Sequence, residues 1–285
     1  MTVFEHLGKK GLAKLFAWCA AIAAFGIGCA TQSSAIVDSL SNQFAIPNWI
    51  SGLVICIITA IVIFGGVKSI SKVCERLVPI MSIVYIIGCI YILCVNAPYL
   101  PETISIIIQA AFAPRAIAGG FVGSTIIQAA RYGIARGLFS NEAGMGSTAI
   151  AAACAKTGEP SNQALVSMIQ VFVDTFVICT LTALIIIMYG PNSQSESIIE
   201  MVPSAFSHFI GPIGGKVVLI SLVLFSFSTI CGWEYYGEKC IDFLLGYRAI
   251  WPFKIIFLIS IFFGAKAENL DLVLGFANTF NGLMT

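Results

Sequence analysis

Arg136-Gly137-Leu138-Phe139-Ser140-Asn141-Glu142-Ala143-Gly144-Met145-Gly146-Ser147 interrupts a chain that is otherwise mostly apolar. With Gly133 just upstream, four glycines and a Ser-Asn-Glu cluster stand between hydrophobic segments. Backbone at membrane depth can leave the helix only where protein or a water-filled cavity satisfies its polar groups. Glycine-punctuated helices are how transporters present free backbone groups to a solute. The run therefore predicts a helix broken near 133–146. Gly137, Ser140, Asn141, Glu142, Gly144 and Gly146 become candidate path residues.

The surrounding composition sets the class. Of 285 residues, 58% are hydrophobic and 10% charged, with a mean hydropathy of +0.95. A water-facing domain carries about a quarter charged residues, so these residues predict an all-α, polytopic membrane helical bundle. A net charge of +1 and the lack of a basic, aromatic-interleaved patch exclude a nucleic-acid surface. The ten cysteines are scattered singly through apolar segments and read as small buried hydrophobes. His6 and His208 are too far apart in sequence to suggest a metal site by spacing. Lys9, Lys10 and Lys14 precede an apolar region, but further spans follow, so a cleaved signal peptide is not expected.

Spans of about 20 residues cross the hydrocarbon core. They are read near 12–37, 50–67, 77–97, 115–157 (interrupted), 163–190, 214–233, 250–266 and 268–285, about eight segments in a single domain of residues 1–285. Breakers at Ile46-Pro47-Asn48, Gly65-Gly66, Asn96-Ala97-Pro98, Gly158-Glu159-Pro160, Gly190-Pro191-Asn192 and Trp251-Pro252 separate them. The stretch 101–113 reads as a short interfacial helix. With the N-terminus cytoplasmic, inner loops hold Lys9, Lys10, Lys14, Lys68, Lys72, Arg76, Arg131, Arg136, Lys156, Lys239, Arg248 and Lys254. Outer loops hold Arg115, Lys216 and Lys266. That is twelve against three of the fifteen basic residues, in keeping with the positive-inside rule. A multi-pass protein of the cell membrane is expected, and the lipid bilayer is its first partner.

Several polar residues inside apolar spans could carry function. Asp174 stands near the centre of the 163–190 span, where a carboxylate costs about 2.5–3.5 kcal/mol on insertion scales. Gln163, Ser167, Gln170 and Asp174 share a helical face, which fits either an ion or solute path or a stripe bonded to neighbouring helices. Gly26, Gly28, Thr31, Gln32, Ser33 and Ser34 make a small, polar patch in the first span. It fits close helix packing, and Gln32 also offers a donor and an acceptor to an amino acid's charged groups. Ser221, Phe225, Ser228, Thr229, Gly232 and Trp233 share a face that could enclose a small zwitterion or simply pack. The following Glu234-Tyr235-Tyr236-Gly237-Glu238-Lys239 reads as a cytoplasmic helix end with solvated charges. No G-x-S-x-G, H-E-x-x-H or G-x-x-x-x-G-K-[ST] occurs. An enzyme is not expected, and the chain cannot itself be an ATP-driven pump.

Gly-Leu-Phe-Ser-Asn-Glu-Ala-Gly-Met-Gly-Ser at 137–147, with Ala-Lys-Thr at 155–157, resembles the sodium:alanine/glycine symporters. Arg131 to Gly137, Val171-Phe172-Val173-Asp174-Thr175, Phe227 to Lys239 and Thr279 to Met284 are similar to further family blocks, in order. The resemblance implies an inverted-repeat fold of the leucine-transporter type and sodium-coupled uptake of alanine and glycine. Sodium is then the coupling ion, and no other cofactor is expected. By position, Gln32, Thr229 and Trp233 match residues implied to contact the amino acid. The chain lacks the family's N-terminal signature and first broken helix, and the completion of its final helices. The fold is therefore expected to be incomplete, and transport to need a separate chain supplying the missing N-terminal helices. A non-transporting membrane remnant or interaction subunit is the alternative. An intramembrane enzyme built on Ser140, His208 or Asp174 has no catalytic spacing to support it.

Overall fold

The computed structural model describes residues 8–112, 142, 146–190 and 200–266. Among them there is no strand. The helices are α1 (Lys10–Phe44), α2 (Asn48–Phe64), α3 (Gly66–Val95), α4 (Leu100–Phe112), α5 (Thr148–Ala152), α6 (Pro160–Tyr189), α7 (Met201–Ile210), α8 (Pro212–Leu245) and α9 (Ile250–Gly264). Five described helices are long and apolar enough to cross a membrane: α1, α3, α6, α8 and the segment Tyr247–Gly264 that contains α9. The chain is an all-α, multi-pass membrane bundle.

Local chemistry sets the breaks. Ala45 adopts a left-handed conformation (φ 52°) and ends α1, and Pro47 then starts α2, since the residue before a proline disfavours the helical region. Gly66 (φ 68°), Gly211 (φ 99°) and Gly246 (φ 81°) mark other helix ends. Pro160 opens α6 at the first helical position, where its missing N–H costs nothing. Two spans contain widened, π-type turns, Ala24–Ala30 in α1 and Phe172–Ile178 in α6. Such turns often mark functional positions.

Four expectations are corrected. Lys68, Lys72 and Arg76 are not in a loop: the Gly65-Gly66 turn is tight and α3 begins at Gly66, so these exposed residues ride the first turns of a long helix. Trp251-Pro252 does not break the chain, because Pro252 lies in the first turn of α9, where proline is tolerated. Lys254, expected in a loop, is a buried member of α9. Lys239, likewise expected in a loop, lies within α8. The short helix α7 was not anticipated. The segments 115–141 and 268–285 lie outside the described residues.

The described residues form two compact units. In the unit comprising 8–83, 146–155 and 219–266, α1 is the central element. Its covered face is almost all small: Ala13, Ala17, Ala20, Ala21, Ala23, Ala24 and Cys29 are buried. Small residues let membrane helices approach closely, and α9 does so at Gly264, where a Cβ would come within 2.6 Å of the Ala30 Cα. Phe25 packs edge-on against Phe253, with ring centroids 5.2 Å apart. In the unit comprising 84–112, 142, 156–190 and 200–218, the Tyr85 hydroxyl bonds Thr182 Oγ1 at 2.7 Å. Phe206 fills the space beside Gly88 and stacks on Tyr85 at 5.7 Å.

Candidate functional site

The first group of candidates lies where α1 crosses α8. A Cβ on Gly28 would overlap the Cβ of Trp233 and come within 2.6 Å of its Cγ, and one on Gly237 would stand 3.2 Å from the Ala24 Cβ. Ala24 pairs with Gly237 and Gly28 with Trp233, so the helices run antiparallel. Trp233 thus sits at the crossing itself, while Gln32 follows Gly28 along α1 and Thr229 precedes Trp233 along α8.

Their environments differ. Trp233 is buried, 2% exposed, with its ring edge-on to Tyr236 at 5.6 Å. Thr229 is half-buried, and its hydroxyl donates to the Phe225 carbonyl at 3.0 Å. Ser228 donates to the same carbonyl at 2.8 Å. The Thr229 oxygen keeps acceptor capacity. Around Gln32 the small polar residues are absorbed by packing. Ser33 is fully buried and donates to the Ala30 carbonyl at 3.1 Å, while buried Ser34 donates to Asp38 Oδ2 at 3.2 Å. Gln32 is half-exposed. The polar patch therefore separates into buried serines that bond within α1 and a half-buried Gln32.

The remaining candidates lie on other elements. Asp174 lies in the other unit, inside the π-type turn Phe172–Ile178 of α6. Gln163, Ser167 and Asp174 are half-buried, whereas Gln170 is exposed. Phe172 and Phe176 stack outside the turn, centroids 5.5 Å apart. His208 packs against the rings of Tyr189 and Phe209. Of the glycine-rich run, Glu142 (φ 52°) and Gly146 (φ 76°) have left-handed backbone, and Gly146 abuts the Phe16 ring. Gly137, Ser140, Asn141 and Gly144 lie outside the described residues.

The charged block after Trp233 is the largest departure from expectation. Glu234 is 0% exposed and Glu238 7%, so this stretch is not a solvated helix end. α8 continues for another twelve residues past Trp233, to Leu245, and buries these carboxylates against α9. Lys254 Nζ lies 2.8 Å from Glu238 Oε2 and 3.8 Å from Glu234 Oε1, and donates to the Ile63 carbonyl at 3.2 Å. That carbonyl belongs to the last turn of α2, where helix carbonyls lack intrahelical partners and a cation is favourable. A lysine within the apolar run 250–264 was the signal in the sequence that could have revealed this cluster. Among the described residues, no group of three or more His, Cys, Asp or Glu could hold a metal ion.

The family model described as the sodium:alanine symporter family matches residues 2–285. The chain belongs to that family. Its relatives include the sodium/alanine symporter AgcS of Methanococcus maripaludis, 41% identical over 98% of this chain and 61% of the relative. The amino-acid carrier protein AlsT of Bacillus subtilis is 32% identical over 98% of this chain and 59% of its own length. The probable sodium/glutamine symporter GlnT of Bacillus subtilis is 35% identical, covering 98% and 58%. The chain thus spans about 60% of the length of these relatives. This is a family of membrane symporters and not of enzymes, which removes the intramembrane-enzyme reading.

Proposed function

We propose that this chain is the core of a carrier that moves a small neutral amino acid, alanine or glycine, across the cell membrane with sodium. The observation that carries the reading is the antiparallel close approach of α1 and α8 at Gly28 and Trp233, with Gln32 and Thr229 each about one helical turn along from it. A zwitterion entering the bundle must have both charges met, because an unpaired buried charge costs several kcal/mol. The Gln32 amide donates and accepts, the Thr229 oxygen accepts, and the Trp233 indole closes one side. In an inverted-repeat fold of the leucine-transporter type, backbone freed at 137–146 and a further broken helix would meet the remaining charges. That helix would come from the part of the relatives' length outside the match, supplied in the same chain or by a separate one. The relative named for alanine favours a small substrate, and the one named for glutamine makes a larger neutral amino acid the competitor to test.

The test is radiolabelled uptake into vesicles carrying the chain completed with the remaining relative segments. Alanine should accumulate with an inward sodium gradient and not with potassium. Excess unlabelled glycine should compete better than glutamine. Uptake indifferent to the sodium gradient would overturn the symport reading, and stronger competition by glutamine would overturn the substrate assignment.

A further inference from the structure

We propose that Glu234 is a buried proton-binding carboxyl, held neutral because the neighbouring Lys254 spends its close contacts on Glu238 and a backbone carbonyl and leaves both Glu234 oxygens without a donor. The proposal rests on packing within one unit and not on any substrate, so it stands or falls separately from the carrier reading.

Two carboxyls and one ammonium share a dry volume. Lys254 Nζ spends its close contacts on Glu238 Oε2 at 2.8 Å and the Ile63 carbonyl at 3.2 Å. Glu238 has a second cation, Lys239, at 3.4 Å. Glu234 is left with Lys254 at 3.8 Å, beyond hydrogen-bond reach. Both of its oxygens are buried and neither has a hydrogen-bond partner among the described residues. With Lys239 the four charged groups can balance, but Lys239 is the more exposed partner of Glu238, 35%, and an ionised Glu234 would keep two buried carboxylate oxygens with no donor. A buried charge without hydrogen bonds neutralises rather than remain charged. A proton added to the Glu234 carboxylate removes that charge, and the remaining carbonyl oxygen can still face the Lys254 ammonium.

The neighbours supply no hydrogen-bond donor to Glu234 among the described residues, and the further cation, Lys239, pairs with Glu238. From α9 the charged group is Lys254. On α8, Cys231 lies one turn before Glu234, and Tyr235 beside it carries Lys239 over its ring at 5.4 Å. The thiol of Cys29 on α1 donates to the Phe257 carbonyl, and that of Cys56 on α2 to the Leu258 carbonyl. Among the described residues the ion pairs of the cluster are Lys239–Glu238, Lys254–Glu234 and Lys254–Glu238. Glu234 therefore sits next in sequence to Trp233 as a site that can gain or lose one charge while its companions keep theirs.

Infrared spectroscopy of the full chain in lipid vesicles at about neutral pH, well above the ordinary glutamate range, tests this. The wild type should show the carbonyl band of a protonated carboxyl in an apolar setting. Glu234→Gln should lose the band and Glu238→Gln should keep it. A hydrophobic carbodiimide, which attacks protonated carboxyls, gives a readout that needs no variant: peptide mapping of the wild type should find Glu234 modified. A band that survives in Glu234→Gln, or the absence of both band and modification, would overturn the proposal. So would loss of the band on adding sodium but not potassium, which would make the occupant a metal cation.

Discussion

Trp233 occupies the volume that a side chain on Gly28 would need, so the crossing of α1 and α8 exists only because position 28 carries none. Gly28→Ala should force the helices apart, and overpacking of this kind costs about 1–3 kcal/mol. Thermal unfolding in detergent should show a clear drop in midpoint. Gly232 is the control. A Cβ there meets nothing within 4 Å, so Gly232→Ala should be neutral or stabilise α8 by about 0.5–1 kcal/mol. Equal midpoints for the two variants would refute the close-approach argument.

Lys254 ties three helices together, pairing with the Glu238 carboxylate of α8 and bonding the last turn of α2 from its place on α9. Lys254→Met should destabilise strongly, because removing one member of a buried pair costs about 3–5 kcal/mol. Much of that loss is the charge left on Glu238. The double variant Lys254→Met/Glu238→Gln should therefore be more stable than Lys254→Met alone. A double variant less stable than the single would show that the ion pair is not the source of the effect.

How far the sequence could reach is visible in this cluster. Composition revealed the all-α membrane class, and prolines and glycines marked most helix ends, because both act through local backbone geometry. Gln32, Thr229 and Trp233 stand out both by their chemistry in apolar spans and by resemblance, but the close approach of α1 and α8 at Trp233 was not legible. It depends on Gly28, whose meaning lies in a partner some two hundred residues away. The charged block 234–239 misled for a related reason. Charge density suggests solvent, and only the tertiary position of Lys254 shows that two glutamates can be buried there. The Gly65-Gly66 turn was also read too loosely, since glycines allow a turn so tight that no loop is needed.

The basic residues of α3 provide a topology test. Lys72 is exposed near the start of that helix, and the asymmetry of basic residues, ten to three once Lys239 and buried Lys254 are set aside, predicts that it lies on the cytoplasmic side. In a variant stripped of native cysteines, Lys72→Cys should react with a membrane-impermeant maleimide only after the vesicles or cells are opened. Labelling of intact right-side-out vesicles would invert the orientation.

The last prediction concerns the two site residues whose surroundings differ most. Gln32 is half-exposed about one helical turn along α1 from the α1–α8 crossing, whereas Trp233 is buried within it. In the completed carrier, Gln32→Ala removes a hydrogen-bonding group without opening the core. A bond to a charged ligand group is worth about 1.5–3 kcal/mol, so alanine uptake at low concentration should fall about ten- to a hundredfold with little loss of inserted protein. Trp233→Ala removes both the wall and the packing against Gly28, so uptake and thermal stability should fall together. Ser260→Ala, which deletes an exposed hydroxyl bonded to the Ile256 carbonyl at 2.9 Å, should change neither. Because Gln32 acts on the ligand and Trp233 on ligand and crossing alike, measuring uptake and stability side by side separates the two roles. Unchanged uptake in both Gln32→Ala and Trp233→Ala would remove the α1–α8 crossing as the substrate site.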